Sequence, residues 1–91
     1  MTSITLNAAH HRFEMTEDGA TAYVAIERSG DVITFTHTIV PDALGGRGLG
    51  SALARHVLDY ATEHQLHVRP QCSFIRGYIA KHPEYAGLVT A

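Results

Sequence analysis

A glycine-rich hexapeptide constrains the fold of this chain more than any other feature of its sequence. Gly45-Gly46-Arg47-Gly48-Leu49-Gly50 lies between a run typical of a strand, residues 32–40, and a run typical of a helix, residues 49–64. Glycines at a strand-to-helix junction let backbone N–H groups approach a ligand without obstruction by a Cβ atom. The first helical turn adds unpaired N–H groups and the positive end of the helix dipole. The junction therefore predicts an anion site, most often one for phosphate.

Apolar periodicity predicts three strands before this junction. Residues 11–15, 20–28 and 32–40 alternate in polarity or are rich in β-branched and aromatic side chains. Ser29-Gly30-Asp31 is typical of a tight hairpin connection between the second and third strands. These runs predict antiparallel pairing in the first half of the chain.

After the junction, the spacing predicts a helix, a strand and a second helix. The first helix covers residues 49–64, with an apolar stripe formed by Leu49, Leu53, Val57, Tyr60 and Ala61. Residues 66–69 form a short strand that ends at Pro70. The last helix covers residues 74–81, with Ser73 as its cap and with Phe74, Ile75, Tyr78 and Ile79 on its apolar face.

The predicted fold class is α+β, with a mostly antiparallel sheet, one strand–helix–strand step and a C-terminal helix. Residues 1–91 are expected to form a single domain, because 45% of them are hydrophobic and 18% are charged, as in a folded protein. The net charge of −2 and the dispersed basic residues predict no nucleic-acid or membrane partner. A single cysteine, and no secretion signal or bilayer-length apolar run, favour a cytoplasmic protein without disulfides.

Two common phosphate loops fit the hexapeptide poorly. A nucleoside-triphosphate P-loop needs a lysine directly before its Ser or Thr, whereas Gly50 precedes Ser51 here. The dinucleotide pattern needs a third glycine at the position that Ser51 occupies, and the chain is too short for a doubly wound domain.

A third loop fits better, because the hexapeptide resembles the acetyl-CoA loop of the GNAT N-acetyltransferase superfamily. Gly48-Leu49-Gly50 matches the second half of that pattern, and Gly45 stands where Gln or Arg is usual. His37-Thr38, Val40-Pro41, Pro70-x-Cys72-x-Phe74, Tyr78-Ile79 and His82-Pro83-Glu84-Tyr85 follow in the order found in minimal, YjdJ-type members of the superfamily. The likeness covers roughly residues 37–89 and implies a compact GNAT-like fold that binds acetyl-CoA.

The resemblance also implies where the cofactor binds. In GNAT folds the strand before the loop bulges and splays from the strand after the helix, and pantetheine lies in the opening. Carried over, the backbone groups of Thr38, Ile39 and Val40 pair with pantetheine. The N–H groups of residues 45–50, which are Gly45, Gly46, Arg47, Gly48, Leu49 and Gly50, bind the diphosphate, with the side chains of Arg47 and Ser51 assisting.

Cys72 is a candidate nucleophile, because a thiol at a helix N-terminus is stabilised as the thiolate. The alternative is a small buried apolar residue, which describes most lone cysteines. The resemblance favours the nucleophile, since the subfamily has a cysteine at this position that is suspected of catalysis. Most GNAT enzymes instead let the amine attack acetyl-CoA directly, helped by an acid and a base.

His37 and Tyr78 are the main candidates for acid and base. His37 lies on the strand that borders the cleft, and Tyr78 on the last helix is a candidate to donate its hydroxyl proton to a leaving thiolate; both residues also fit purely structural roles. His82, Glu84 and Tyr85 are weaker candidates. The histidines show no spacing typical of zinc sites, so no metal is expected.

Two functions are therefore open at the level of sequence. The first is an N-acetyltransferase that moves acetyl from acetyl-CoA to an amine. The second is a non-catalytic CoA- or acetyl-CoA-binding protein that acts as a sensor or partner domain. Fuller GNAT enzymes build part of the acceptor site from N-terminal helices that this chain lacks. The resemblance thus implies an open acceptor surface, suited to a protein or peptide lysine. The oligomeric state is left open.

Overall fold

Five strands and two α-helices make up the fold in the computed structural model, which describes residues 3–90. The elements in chain order are β1 (Thr5–Asn7), β2 (Arg12–Glu17), β3 (Ala20–Ser29), β4 (Val32–Ile39), α1 (Leu49–Glu63), β5 (His67–Pro70) and α2 (Ser73–Lys81). Short 3-10 helices occupy Ala8–His10, Asp42–Leu44 and Pro83–Leu88. The sheet order is β1-β2-β3-β4-β5, with β4 and β5 parallel and the other neighbours antiparallel.

The hydrophobic core lies on one face of the sheet, beneath the helices. Alternate strand residues point to opposite faces, and the inward set, which includes Phe13, Val24, Ile33 and Phe35, is fully or almost fully buried. The buried face of α1 packs on these side chains with Leu53, Ala54, Val57, Leu58 and Ala61. The opposite face of the sheet is mostly polar, as in antiparallel sheets that have one solvated side.

The predicted α+β class, strand–helix–strand step and C-terminal helix are confirmed. The four predicted strands and both helices form within two residues of their expected bounds, and Gly30 makes the tight connection before β4 with a φ of 59°. The stripe predicted for α1 is buried, apart from Tyr60, which is half-buried.

Three local expectations were wrong or incomplete. The prediction omitted β1, because three residues are too few to show alternation and the strand exists through its pairing with β2. Ser73 is the first residue of α2, and Cys72 holds the cap position instead. Phe74 is 43% exposed, because it turns away from the core towards the start of α1.

Candidate functional site

A cleft opens where β4 and β5 diverge. The two strands pair from Val32↔His67 to Phe35↔Pro70, and the Cys72 amide then donates to the Phe35 carbonyl at 2.9 Å. Beyond this point α2 begins, while β4 continues to Ile39 paired only with β3. One side of β4 after Phe35 is therefore free of a neighbouring strand, which is the splayed geometry that the resemblance implied.

A β-bulge in β4 decides which side chains face this cleft. Ile26 pairs with Phe35 and Ala25 pairs with His37, so Thr36 is an extra residue in β4. Its hydroxyl donates to the Ala25 carbonyl at 3.3 Å. Because strand side chains alternate, the extra residue turns His37 onto the exposed outer face and Thr38 onto the helix-covered face.

Cys72 lies at the inner end of the cleft, against Thr38. Its side chain is 8% exposed, and Sγ lies 3.1 Å from the Thr38 hydroxyl. Burial opposes ionisation of the thiol, but the Thr38 hydrogen bond and the main-chain amides of Ile75 and Phe74 outweigh it and lower the pKa of Cys72. The surroundings of Sγ therefore favour the thiolate relative to a free cysteine.

The glycine loop presents a run of unpaired amides at the mouth of the cleft. Within residues 3–90, the amides of residues 46–51 donate to no backbone acceptor, and the first helical bond runs from Ala52 to the Gly48 carbonyl. Gly46 and Gly48 have φ values of 78° and 74°, which side chains other than glycine rarely adopt. The Gly45 amide already donates to the Asp42 carbonyl at 3.0 Å, so the free run begins at Gly46.

Arg47 points away from this run of amides. Its guanidinium binds the carboxylates of Glu17, at the end of β2, at 2.9 Å and of Asp18, in the turn that follows, at 2.8 Å. These hydrogen bonds, with Asp18 first, raise the pKa of Arg47. The predicted contact of Arg47 with a diphosphate stays a prediction, and it would require the side chain to leave both carboxylates.

A groove of about 460 Å³ lies beside the loop, between the start of α1 and one face of α2. The ring of Phe74 lies over Gly50, where a Cβ atom would come within 2.8 Å of Cζ. The groove is lined by Ser51, Ser73, Phe74, Gly77, Tyr78, Lys81 and His82. Tyr78, one of the predicted acid–base residues, thus borders this groove, and its ring stacks on His82 with centroids 4.1 Å apart.

The remaining candidates are divided between surface and structural positions. Glu84 is exposed and lies 3.8 Å from the His82 ring nitrogen. Tyr85 donates to the Asp59 carboxylate at 2.6 Å, which ties the C-terminal 3-10 helix to α1. Of the predicted backbone set, Ile39 lies on the outer face, while Val40 packs against the core.

Sequence reasoning missed three features of the site. The Thr38 side chain was not singled out, because only the bulge places it on the core-facing side of β4. Lys81, at the end of α2, was not connected with the loop, since nothing in the sequence shows the groove that joins them. The contact of Arg47 with Asp18 spans 29 residues and is set by tertiary structure, so spacing in the sequence does not show it.

Residues 3–90 contain no cluster of three His, Cys, Asp or Glu side chains that could hold a metal ion. Within the same residues, no helix is both long and apolar enough to cross a membrane.

Comparison with known proteins decides the family. Residues 12–88 match the family described as GCN5-related N-acetyl-transferase. The chain belongs to this family. The resemblance to a minimal GNAT-like protein is thereby confirmed, and proteins of the GNAT family generally bind acetyl-CoA and an acceptor.

Individual relatives agree with this assignment. The chain is 33% identical over 82 residues to Protein NATD1 of Mus musculus, covering 89% of this chain and 66% of that protein. Protein NATD1 of Homo sapiens is 32% identical over 82 residues, with 89% and 65% covered. This chain therefore spans just under two thirds of the length of these relatives.

A solved structure supports the same fold. The solution structure of a GCN5-like protein from Staphylococcus aureus superposes with a TM-score of 0.75 and 27% identity, covering 98% of this chain and 88% of that one. The GNAT-like architecture predicted for this chain is thus confirmed.

Proposed function

We propose that this GCN5-related protein transfers an acetyl group from acetyl-CoA to a primary amine. The observation that carries the proposal is the run of unpaired amides at residues 46–51, placed at the mouth of the cleft between β4 and β5. Backbone N–H groups at a helix N-terminus favour a phosphate group, and the splayed strand offers free peptide groups beside it. A diphosphate joined to an amide-containing arm, as in CoA, matches both features.

Each part of the donor substrate has a matching part of the site. The amides of residues 46–51 bind the diphosphate, and the free edge of β4 at Thr38, Ile39 and Val40 pairs with the pantetheine amides. The groove that begins at Ser51 receives the nucleotide end, where the Lys81 ammonium attracts its phosphate. This arrangement directs the acetyl end towards Cys72, at the inner end of the cleft.

The chemistry requires an amine to attack the thioester carbonyl. A carbon–nitrogen bond forms, the carbon–sulfur bond to CoA breaks, and the amine loses a proton as the leaving thiolate gains one. His37, exposed on the outer face of β4, is the candidate base for the amine. Tyr78 lines the groove that receives the nucleotide end, away from the thioester, so its predicted role as proton donor to the thiolate is not part of this arrangement.

Cys72 offers a second route to the same products. Its thiolate attacks the carbonyl carbon, CoA leaves as a thiolate that takes up a proton, and the acetyl group rests on Sγ until the amine displaces it. The lowered pKa of Cys72 and its position in the cleft support this route. Direct attack leaves no acetyl group on the protein, so the two routes are separable by experiment.

The open outer face of the sheet favours an acceptor that is itself a polypeptide. No α-helix covers this face within residues 3–90, and beside His37 it carries Ala25, Tyr23 and Ile39, of which Ile39 is 44% exposed. The salt bridge of Arg12 with Glu14 at 2.6 Å and the stacking of Arg12 on Tyr23 order the centre of the face. A lysine on a peptide or protein surface can reach such a site without an enclosing pocket.

Mass spectrometry of the protein after incubation with acetyl-CoA and a lysine-containing peptide tests the proposal. Native conditions should show bound CoA, and the peptide should gain an acetyl group. Denaturing conditions should show acetyl on Cys72 if the cysteine route operates, and Cys72→Ala should then stop transfer. Acetylation of the peptide at an unchanged rate by Cys72→Ala would establish direct attack.

Two other outcomes would overturn the proposed transfer. Bound CoA without acetylation of any peptide in a lysine-containing library would favour the alternative of a non-catalytic CoA-binding protein. Absence of bound CoA at millimolar ligand would remove the proposal altogether.

A further inference from the structure

The thiol of Cys72 makes a polar side-chain contact with Thr38. Within residues 3–90, Thr38 Oγ1 is the only side-chain hydrogen-bond partner of Sγ, at 3.1 Å. A thiolate has no proton to donate, so in the ionised state the hydroxyl must be the donor. Hydrogen bonds to ionised groups are about twice as strong as neutral ones.

The usual partner for a reactive cysteine is a histidine, and this fold excludes His37 from that position. His37 and Thr38 are consecutive in β4, so their side chains point to opposite faces of the sheet. The bulge at Thr36 sets this order: if β4 alternated regularly after Phe35, His37 would occupy the core-facing side and Thr38 would face outwards. As a result of the bulge, the Thr38 hydroxyl lies beside the sulfur, and the His37 imidazole does not.

We propose that Thr38 is a positioning residue, whose hydroxyl holds Sγ of Cys72 on the β4 side of the cleft and stabilises its thiolate. The role in acetyl transfer rests on the proposed function, whereas the effect on the thiol does not. Thr38 acts with the amides at the start of α2, so Cys72 is activated by neutral donors and needs no paired base.

The elements packed around Cys72 carry the titratable residues Arg76, Tyr78 and Lys81 on α2, His37 on the outer face of β4, and His67 and Arg69 on β5, whereas the buried residues of α1 are all apolar. The Arg76 guanidinium donates to the carbonyls of Pro70 and Gln71 at 3.4 and 3.2 Å, beside the main chain that leads to Cys72. Substitution of Thr38 leaves these charges in place, so any change in thiol ionisation reports the lost hydroxyl.

Thr38→Val tests the proposal, because valine keeps the shape of threonine and removes the hydroxyl. Thr36→Val is the matched control: it lies two residues away in β4, and its hydroxyl binds the Ala25 carbonyl instead of the sulfur. The measurements are the pH dependence of thiolate ultraviolet absorbance and of alkylation by iodoacetamide, on the protein without acetyl-CoA. The absorbance of the thiolate does not depend on reagent access. It therefore reports the ionisation of the thiol even if the substitution changes the exposure of Cys72 to iodoacetamide.

Loss of a hydrogen bond to a charged group is expected to slow alkylation of Thr38→Val by about tenfold below the thiol pKa, with the absorbance midpoint moved to higher pH. Thr38→Ser should restore the wild-type midpoint, and Thr36→Val should leave it unchanged. An unchanged midpoint in folded Thr38→Val, or an equal shift in Thr36→Val, would overturn the proposal. If Thr38→Val does not fold, Thr38→Ala replaces it, and an absorbance midpoint in Thr38→Ala equal to that of wild type would overturn the proposal. None of these results depends on whether the protein transfers acetyl groups.

Discussion

Tyr85 connects the C-terminal segment to the body of the protein through one short hydrogen bond. Its hydroxyl donates to the Asp59 carboxylate at 2.6 Å, from the 3-10 helix Pro83–Leu88 to α1. This bond, together with partial burial, raises the pKa of Tyr85 to about 12. The segment also supports α2, because the rings of Tyr78 and Tyr85 lie 6.2 Å apart.

Replacing Tyr85 by Phe is expected to lower the free energy of unfolding by about 1 kcal/mol at neutral pH, since a charge-assisted hydrogen bond is lost. Chemical denaturation of the two proteins measures the difference. Tyr60→Phe is the control, because within residues 3–90 the Tyr60 hydroxyl has no side-chain hydrogen-bond partner. Equal losses in both variants would contradict the role of the Tyr85–Asp59 bond.

The same bond predicts a dependence on alkaline pH. Because the pKa of Tyr85 is raised on folding, its contribution is complete below the ordinary value of 10 and is lost as pH rises towards 12. The stability difference between wild type and Tyr85→Phe should therefore shrink across this window. A difference that stays constant between these pH values would show that the hydrogen bond is not its source.

At the level of elements, the N-terminus of α1 is the part of the fold on which the proposed binding site depends. Gly48 holds the cap position without a side chain, and the amides of Leu49, Gly50 and Ser51 point out of the first turn. Ser51 is exposed and its side chain caps nothing, so its amide and hydroxyl are separable by substitution.

Ser51→Pro removes the amide donor, whereas Ser51→Ala removes only the hydroxyl. Proline is tolerated in the first helical turn, since its missing N–H has no intrahelical partner there. CoA should bind Ser51→Pro about tenfold or more weakly than Ser51→Ala, as expected for a lost hydrogen bond to an anion. Isothermal titration calorimetry measures both affinities, and equal affinities would contradict binding of the diphosphate by this amide.

The glycine loop is joined to the hairpin between β2 and β3 through Arg47. Since its guanidinium already binds Glu17 and Asp18, we expect Arg47→Ala to weaken CoA binding by less than about threefold, the range of exposed ion pairs. Arg55→Ala is the control, because Arg55 makes a comparable exposed pair with Asp59 away from the loop. A loss well above tenfold in Arg47→Ala alone would place the guanidinium on the ligand.

Across the whole molecule, periodic sequence predicted the elements, and tertiary contacts decided the site. The alternation in β3 and β4 and the stripe of α1 follow from burial of one face, which is visible in the residues themselves. The extra residue at Thr36 is fixed by pairing with Ala25 and Ile26, so the faces of His37 and Thr38 could not be read from spacing alone. The same holds for Phe74, which left the expected apolar face of α2 to cover Gly50.

The helices and the core lie on one side of the sheet, and this arrangement determines how the two proposed substrates approach. The loop, the cleft and Cys72 lie on that side as well. His37 and the mostly polar outer face lie on the other. The donor and the acceptor would therefore approach β4 from opposite faces and meet where β4 and β5 diverge.

A crystal structure of the protein with CoA would test the proposed binding site most directly. The diphosphate oxygens should lie within hydrogen-bond distance of the amides of residues 46–51, with pantetheine between β4 and the start of α2. Density for CoA at any other position, with these amides free of ligand, would contradict it.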